Sequence, residues 1–222
     1  MNNADLYGLE VFSGISHRDI DELAHRLGAN SRRFNKDEFI LSSGSETNEI
    51  GIVLKGSVLT ESTDTYGKKT IYCLTEKNGF FGEICFGTHM PITADIVAAE
   101  DCEIIFIGFP DFSGISGVKP AVSYVFISNL FRLSAKNNSL LADKIADTSA
   151  KTIRGRVMSF LSRKRNEHGD SFLIPYDRQQ LAEYLGIDRS ALSNELSKMK
   201  KDGLIDYKKN SFKLTKKYRK HL

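Results

Sequence analysis

Tryptophan is absent from the 222 residues, proline occurs 4 times and cysteine 3 times. The odd number of cysteines, Cys73, Cys85 and Cys102, and the lack of any CxxC pair fit a reduced cytosolic protein better than a disulfide framework. No apolar run approaches the roughly 18–20 residues of a membrane span. The polar start MNNADLYGLE lacks the basic stretch and apolar core of a signal peptide, so a cytoplasmic chain without membrane contact is expected. Histidine is scarce, with 5 in all. His17 and His25 share one short helical pattern without a third ligand and are assigned to the surface. His89 alone lies between Arg32 and Phe109, whereas a metal-dependent β-helix enzyme needs clustered His and carboxylate ligands from neighbouring strands. No Ser-His-Asp or Cys-His-Asn set can be assembled either. The expectation is a protein that is not an enzyme and holds no metal.

Hydrophobic residues make up 41% of the chain, enough for a proper core in one large or two small domains. The net charge of +3 conceals a division: residues 151–222 hold 18 Lys and Arg against 8 Asp and Glu, a balance of +10, leaving −7 for residues 1–150. An acidic body joined to a basic C-terminal third is the electrostatic footprint of a sensor carrying a polyanion-binding module.

Within the basic third, the stretch PYDRQQLAEYLGIDRSALSNELSKMKKDG predicts two short helices about a Gly-centred turn. Asp177 and Gln180 form a capping-box pattern at the first helix. Leu181, Ala182 and Leu185 supply its apolar side, and Gly186 ends it in a conformation that penalises any Cβ. Asp188 caps the second helix, and Leu192, Leu196 and Met199 give it one buried stripe. Its other side carries Arg189, Ser190, Ser193, Asn194 and Ser197, groups suited to base edges and phosphates on a groove floor. Arg178 and Gln179 open the first helix. Beyond Gly203, LIDYKKNSFKLTKKYRKH predicts two short strands about a turn, a wing whose Lys208, Lys209, Lys213, Lys216 and Lys217 would meet phosphates. Ahead of this module, residues 150–165 predict a helix with Ile153, Val157, Phe160 and Leu161 inward.

From Arg32 to about Phe109 the texture is different. Short runs rich in β-branched and aromatic residues alternate with turn signals (SGS, KGS, YGK, KNG), which predicts an antiparallel sandwich or roll. After a Gly/Ser-rich corner, a long helical pattern runs from Ala121 to about Asp147. Phe126, Leu130, Leu133 and Leu140 recur at threes, fours and sevens, with Ile145 beyond, and Asn137 sits in that seam, where a polar residue fixes register or points at a ligand.

The segments IVLKGSVLTESTDTYGKKTIYCL and GFFGEICFG, followed by a long helix and a helix-turn-helix, resemble the Crp/Fnr family of transcription regulators over nearly the whole chain. The resemblance implies an α+β protein. An effector-sensing β-roll of the cyclic-nucleotide-binding type would span residues 1–118, a dimerisation helix 119–147 and a winged helix-turn-helix 148–222. It implies a homodimer with Phe126, Leu130, Leu133, Asn137 and Leu140 in the seam, bound to double-stranded operator DNA of inverted-repeat form, and RNA polymerase as a partner if the protein activates. DNA contacts would come from Arg178, Gln179, Arg189, Ser190, Ser193, Asn194, Ser197, Lys208 and Lys209. An unknown small-molecule effector would meet Tyr72, Cys73, Gly82, Glu83, Ile84, Thr93, Ala94, Asn137 and Asn138.

Three departures from the family pattern narrow this. Cyclic-AMP-binding members follow the Gly-Glu pair, here Gly82-Glu83, with an Arg-Ser pair about eleven residues later; this chain has Ile92-Thr93. A buried phosphate without a cation is costly, so the expected effector is less anionic than a cyclic nucleotide. Iron-sulfur sensing needs four cysteines, including an N-terminal cluster, and is not expected; haem ligation by Cys85 and His89 is a remote alternative. In the second helix of the helix-turn-helix, the family's usual glutamate and arginine are Ser190 and Asn194, while Arg189 and Ser193 keep the family's types. A cyclic-nucleotide-binding module of a kinase or channel would share the roll but not the basic winged helix.

Overall fold

A computed structural model describes residues 3–83, 85, 90–108 and 117–218. The chain divides into two compact units, Met1–Ser62 with Cys73–Ser139, and Thr63–Tyr72 with Leu140–Leu222. The division falls inside one long helix rather than at its end.

In the first unit two short 3-10 turns, Asn3–Asp5 and Glu10–Phe12, precede α1 (His17–Arg26), whose N-cap Ser16 accepts from the Asp19 amide. The strands β1 (Asn30–Phe34), β3 (Glu49–Lys55), β6 (Phe80–Phe81) and β8 (Cys102–Gly108) form an antiparallel sheet in the order β1-β8-β3-β6. A second sheet has the order β2-β7-β4-β5, from β2 (Phe39–Leu41), β4 (Val58–Thr63), β5 (Lys69–Thr75) and β7 (Asp95–Ala98). Side chains alternate across a strand, and β8 uses both faces. Ile104 and Phe106 join Val53, Val58, Phe81 and Ile96 inside the roll. Ile105 and Ile107 point the other way and pack with Ile20, Leu23 and Phe12. Burial on both sides explains the unbroken apolar run Ile104, Ile105, Phe106, Ile107 within this strand.

The Lys-Gly-Ser turn between β3 and β4 requires its glycine. Gly56 has φ of +77°, and a Cβ there would lie 2.6 Å from the Asp101 carbonyl oxygen. That contact admits no side chain.

The long helix α2 (Pro120–Ser149) has two apolar faces. Val122, Phe126 and Leu133 are buried in the first unit's core, with Leu130 packed beside them. On the same side, Asn129 Nδ2 donates to the carbonyls of Val11 (3.0 Å) and Ser13 (2.8 Å). Of the residues expected to face a second chain, Phe126, Leu130 and Leu133 pack into the first unit's own core and Asn137 bonds to it. Phe126 and Leu133 are 0% and 3% exposed, Leu130 and Leu140 are half-buried, and Asn137 donates to Phe80 and Glu83. The seam expectation is corrected for Phe126, Leu130, Leu133 and Asn137: the opposite face of α2 is the more exposed one. It carries Tyr124, Ile127, Phe131, Ser134, Asn138, Leu141 and Ile145 at alternating steps of three and four, and Phe131 and Tyr124 are 77% and 74% exposed. Two interleaved stripes of the same period are indistinguishable by spacing alone, and docking on the β-sheet selected the one rich in fully buried side chains.

In the second unit the end of α2 is bonded to α3 (Ile153–His168) and α4 (Arg178–Leu185). Asp147, 1% exposed, accepts from Ser159 Oγ (2.9 Å), from the Tyr184 hydroxyl (3.2 Å) and from the Arg163 guanidinium. One turn earlier, Lys144 is 8% exposed and its Nζ lies 4.3 Å from the Tyr184 ring centroid, without a hydrogen-bond partner. A small sheet in the order β10-β11-β9 follows, from β9 (Ser171–Leu173), β10 (Ile205–Lys208) and β11 (Ser211–Leu214). Phe160, Phe172, Leu192, Leu196 and Phe212 fill the unit's interior.

Burial pushes the Lys144 ammonium down from 10.5 to about 8, against the pull of Asp147. Between those values the unfolded chain holds a proton that the folded chain has released, so stability rises with pH across this window and the cost is complete below it. Lys144→Met is therefore expected to raise the thermal midpoint by about 2–4 °C at pH 7, with a smaller gain at pH 9.5. Paired melting curves check this; an equal gain at both pH values contradicts it.

Candidate nucleic-acid interface and effector site

The recognition module follows from local chemistry. Asp177 Oδ1 accepts from the Gln180 amide (2.8 Å) and Gln180 Oε1 accepts from the Asp177 amide (2.9 Å), closing the capping box. Gly186 ends α4 at φ of +64°. Asp188 then caps α5 (Arg189–Lys201), accepting from the amides of Ser190 (2.8 Å) and Ala191 (3.1 Å). The Ser190 hydroxyl and these amides hold its carboxyl below the usual range. Leu192, Leu196 and Met199 are fully buried, which fixes the rotation of α5 and turns Arg189, Asn194 and Ser197 outward. Arg154 of α3 ion-pairs with Glu195 and with Asp202 (2.9 Å). This clamp on α5 joins residues about forty apart in the chain, beyond the reach of any local sequence pattern.

The outward side chains differ in availability. Ser190 Oγ is donated to its own cap, and Ser197 Oγ to the Ser193 carbonyl (2.9 Å). Ser193 is half-buried. Arg189 and Asn194 are exposed and make no side-chain hydrogen bond among the described residues, so these two are poised to reach beyond the chain. Gln179 is exposed, with Nε2 on Glu183 (2.7 Å). The wing exposes Lys208, Lys209, Lys213, Lys216 and Lys217. Arg178 stands apart from this set: its Nη2 donates to the Lys209 carbonyl (3.1 Å), and its guanidinium lies 5.1 Å from the Tyr207 ring centroid.

In the first unit, three of the expected effector residues converge. Asn137 Nδ2 donates to Glu83 Oε1 (2.7 Å) and to the Phe80 carbonyl (3.1 Å). Burial raises the Glu83 carboxyl, and the Asn137 bond opposes the rise. Cys73 lies close by, its thiol raised by burial and further by the Glu83 charge, while bonds to Thr60 and Thr75 oppose this. Gly82, at φ of +89°, brings the chain against Glu49, where a Cβ would lie 3.0 Å from the backbone oxygen.

Other expected residues fall elsewhere. Strand alternation puts Tyr72 on the face of β5 opposite Cys73. Asn138, next to Asn137 on α2, is exposed, and Thr93 is exposed while Ala94 is buried. Ile84 and His89 lie outside the described residues. Ile92, expected from the resemblance to stand where cyclic-AMP-binding members carry arginine, is an apolar side chain 7% exposed.

The comparisons find the same two modules in the same order. The cyclic nucleotide-binding domain model matches residues 31–116, and the Crp-like helix-turn-helix domain model matches residues 155–218. The cAMP-activated global transcriptional regulator Vfr of Pseudomonas aeruginosa is 24% identical over 195 residues, spanning 84% of this chain and 88% of that protein. The cAMP-activated regulator CRP of Salmonella typhimurium is 23% identical over 175 residues, spanning 75% and 80%. Among solved structures, a CooA variant from Carboxydothermus hydrogenoformans matches with a TM-score of 0.70 at 21% identity, covering 88% of each chain. The c-di-GMP responsive regulator CLP of Xanthomonas campestris matches at 0.68 and 19%, covering 90% of this chain and 99% of that one.

A β-roll of the cyclic-nucleotide-binding type followed by a winged helix-turn-helix defines a DNA-binding transcription regulator, not an enzyme. This chain belongs to the Crp/Fnr family.

For the interface itself, Asn194→Ala is expected to reduce discrimination at one base pair by roughly 1–3 kcal/mol while leaving the salt dependence of binding unchanged. Binding-site selection from a random pool checks this; an unchanged sequence preference removes Asn194 from base reading.

Proposed function

We propose that the protein acts in the cytoplasm as a homodimeric, effector-gated regulator that binds inverted-repeat operators and, where it activates, meets RNA polymerase. The observation that carries the dimer is the exposed stripe on α2. Five large apolar side chains, Tyr124, Ile127, Phe131, Leu141 and Ile145, are 40% exposed or more, and with Ser134 and Asn138 they keep a heptad step. Such a stripe matches a coiled-coil partner of the same sequence, with Asn138 as the polar register residue. The expected mass in solution is twice 24.9 kDa. Lysine at both Ile127 and Phe131 should return it to the single-chain value, since paired charges would be buried in the seam. Wild type at single-chain mass, or an undiminished dimer in the double variant, contradicts the reading.

The effector reading rests on what surrounds Glu83. Its carboxylate is met by the neutral amide of Asn137, and the buried side chain at position 92 is an isoleucine. A phosphate placed there would be desolvated near a carboxylate that no cation pairs with among the described residues. Named relatives respond to cAMP and c-di-GMP; this chain's residues favour a neutral ligand, or one bearing hydrogen-bond donors for Glu83. An effector that displaces Asn137 from Glu83 would free α2 from one of its anchors and shift the population of DNA-competent dimers. Calorimetry should show no binding of cyclic AMP or cyclic GMP at micromolar concentration, and a micromolar dissociation constant for either overturns this part.

A further inference from the structure

We infer that Arg178 is a positioning residue for the wing, fixing the backbone turn that presents Lys208 and Lys209, and is not itself a phosphate contact. The inference rests on the DNA-binding reading of the winged helix and assigns a role within it.

Strands β10 and β11 pair Tyr207 with Phe212 and Lys208 with Ser211, leaving a two-residue turn of Lys209 and Asn210. Lys209 has φ of +55°, a left-handed conformation that a side chain with a Cβ disfavours. Something must hold it there. Asn210 is tied on one side: its carbonyl accepts from the Ile174 amide (2.9 Å) and its Nδ2 donates to the Ile174 carbonyl (3.2 Å). On the other side, Arg178 Nη2 donates to the carbonyl of Lys209 (3.1 Å).

The guanidinium is held in turn by two rings, 5.1 Å from the Tyr207 centroid and 5.7 Å from that of Phe212. Those rings stack on each other at 5.7 Å and 22°. Arg178 is half-buried, in contrast to the exposed Lys208 and Lys209, and loss of solvent lowers its pKa. Only arginine joins a flat, weakly hydrated cation that lies against aromatic rings to an in-plane fork that reaches a carbonyl. A lysine keeps the charge and loses the geometry, so it separates the two possible roles.

The test uses the full chain and a random-sequence DNA duplex, with affinity measured by anisotropy across a range of salt concentrations. Wild type, Arg178→Lys, Arg178→Ala, the pair Lys208→Ala and Lys209→Ala, and that pair combined with each of the two Arg178 substitutions are compared. A positioning role predicts that Arg178→Lys resembles Arg178→Ala. Each should weaken binding about tenfold and flatten the salt slope much as the wing-lysine pair does, because each phosphate contact contributes roughly 0.9 to that slope. Added to the wing-lysine pair, Arg178→Lys should change little, since both act through the same contacts.

In the free protein, amide exchange at Ile174 should accelerate in Arg178→Lys. That readout stands even if duplex binding fails in wild type, a failure that would count against the DNA-binding reading itself. Arg178→Lys with wild-type affinity, salt slope and Ile174 protection overturns the proposal. So does a separate, additive loss in Arg178→Ala on the wing-lysine background.

Discussion

The first unit is organised around the division of α2 between two faces. One face is committed to the roll by Val122, Phe126 and Leu133 in the core, by Asn129 on two backbone carbonyls and by Asn137 on a third and on Glu83. Polar groups buried at such a docking face are tolerated because each amide hydrogen finds an acceptor, and they fix the helix's rotation as apolar contacts alone would not. Once rotation is fixed, the opposite stripe must stand outward. The apolar surface left there is too regular to be incidental. It is the reason a second copy of the chain enters the account.

The second unit repeats the logic with charge. Asp147 ties the last turns of α2 to α3 and α4 through Ser159, Arg163 and Tyr184, so the end of the long helix belongs to the DNA-binding unit. A buried carboxylate with three donors is well satisfied, and removing Asp147 would leave the Arg163 charge with only its more exposed partners Asp143 and Glu167. Lys144 is the exception, a buried cation with a lowered pKa. Its ring contact with Tyr184 offsets part of the desolvation cost.

Much of the fold was legible because its signals are local. Asp177, Gln180, Gly186 and Asp188 each do in the structure what their backbone positions require, and the two helices of the recognition module start and stop accordingly. The roll was legible from strand length and turn residues. What escaped was the choice between equivalent patterns. Two stripes of identical period run along α2, and only the location of the sheet decides which is buried. On β5, a shift of one residue separates Cys73, beside Glu83, from Tyr72 on the other face. Arg178 escaped for another reason: its Lys209 carbonyl and aromatic partners lie about thirty residues away, beyond any local pattern.

These assignments combine into one claim, that two copies of the chain present two α5 helices to symmetric DNA. Hydroxyl-radical footprinting on an operator selected from a random pool tests it most directly. The account predicts two protected half-sites related by inverted repeat, with centres about one helical turn, roughly 10 base pairs, apart. Protection of a single asymmetric half-site would contradict it.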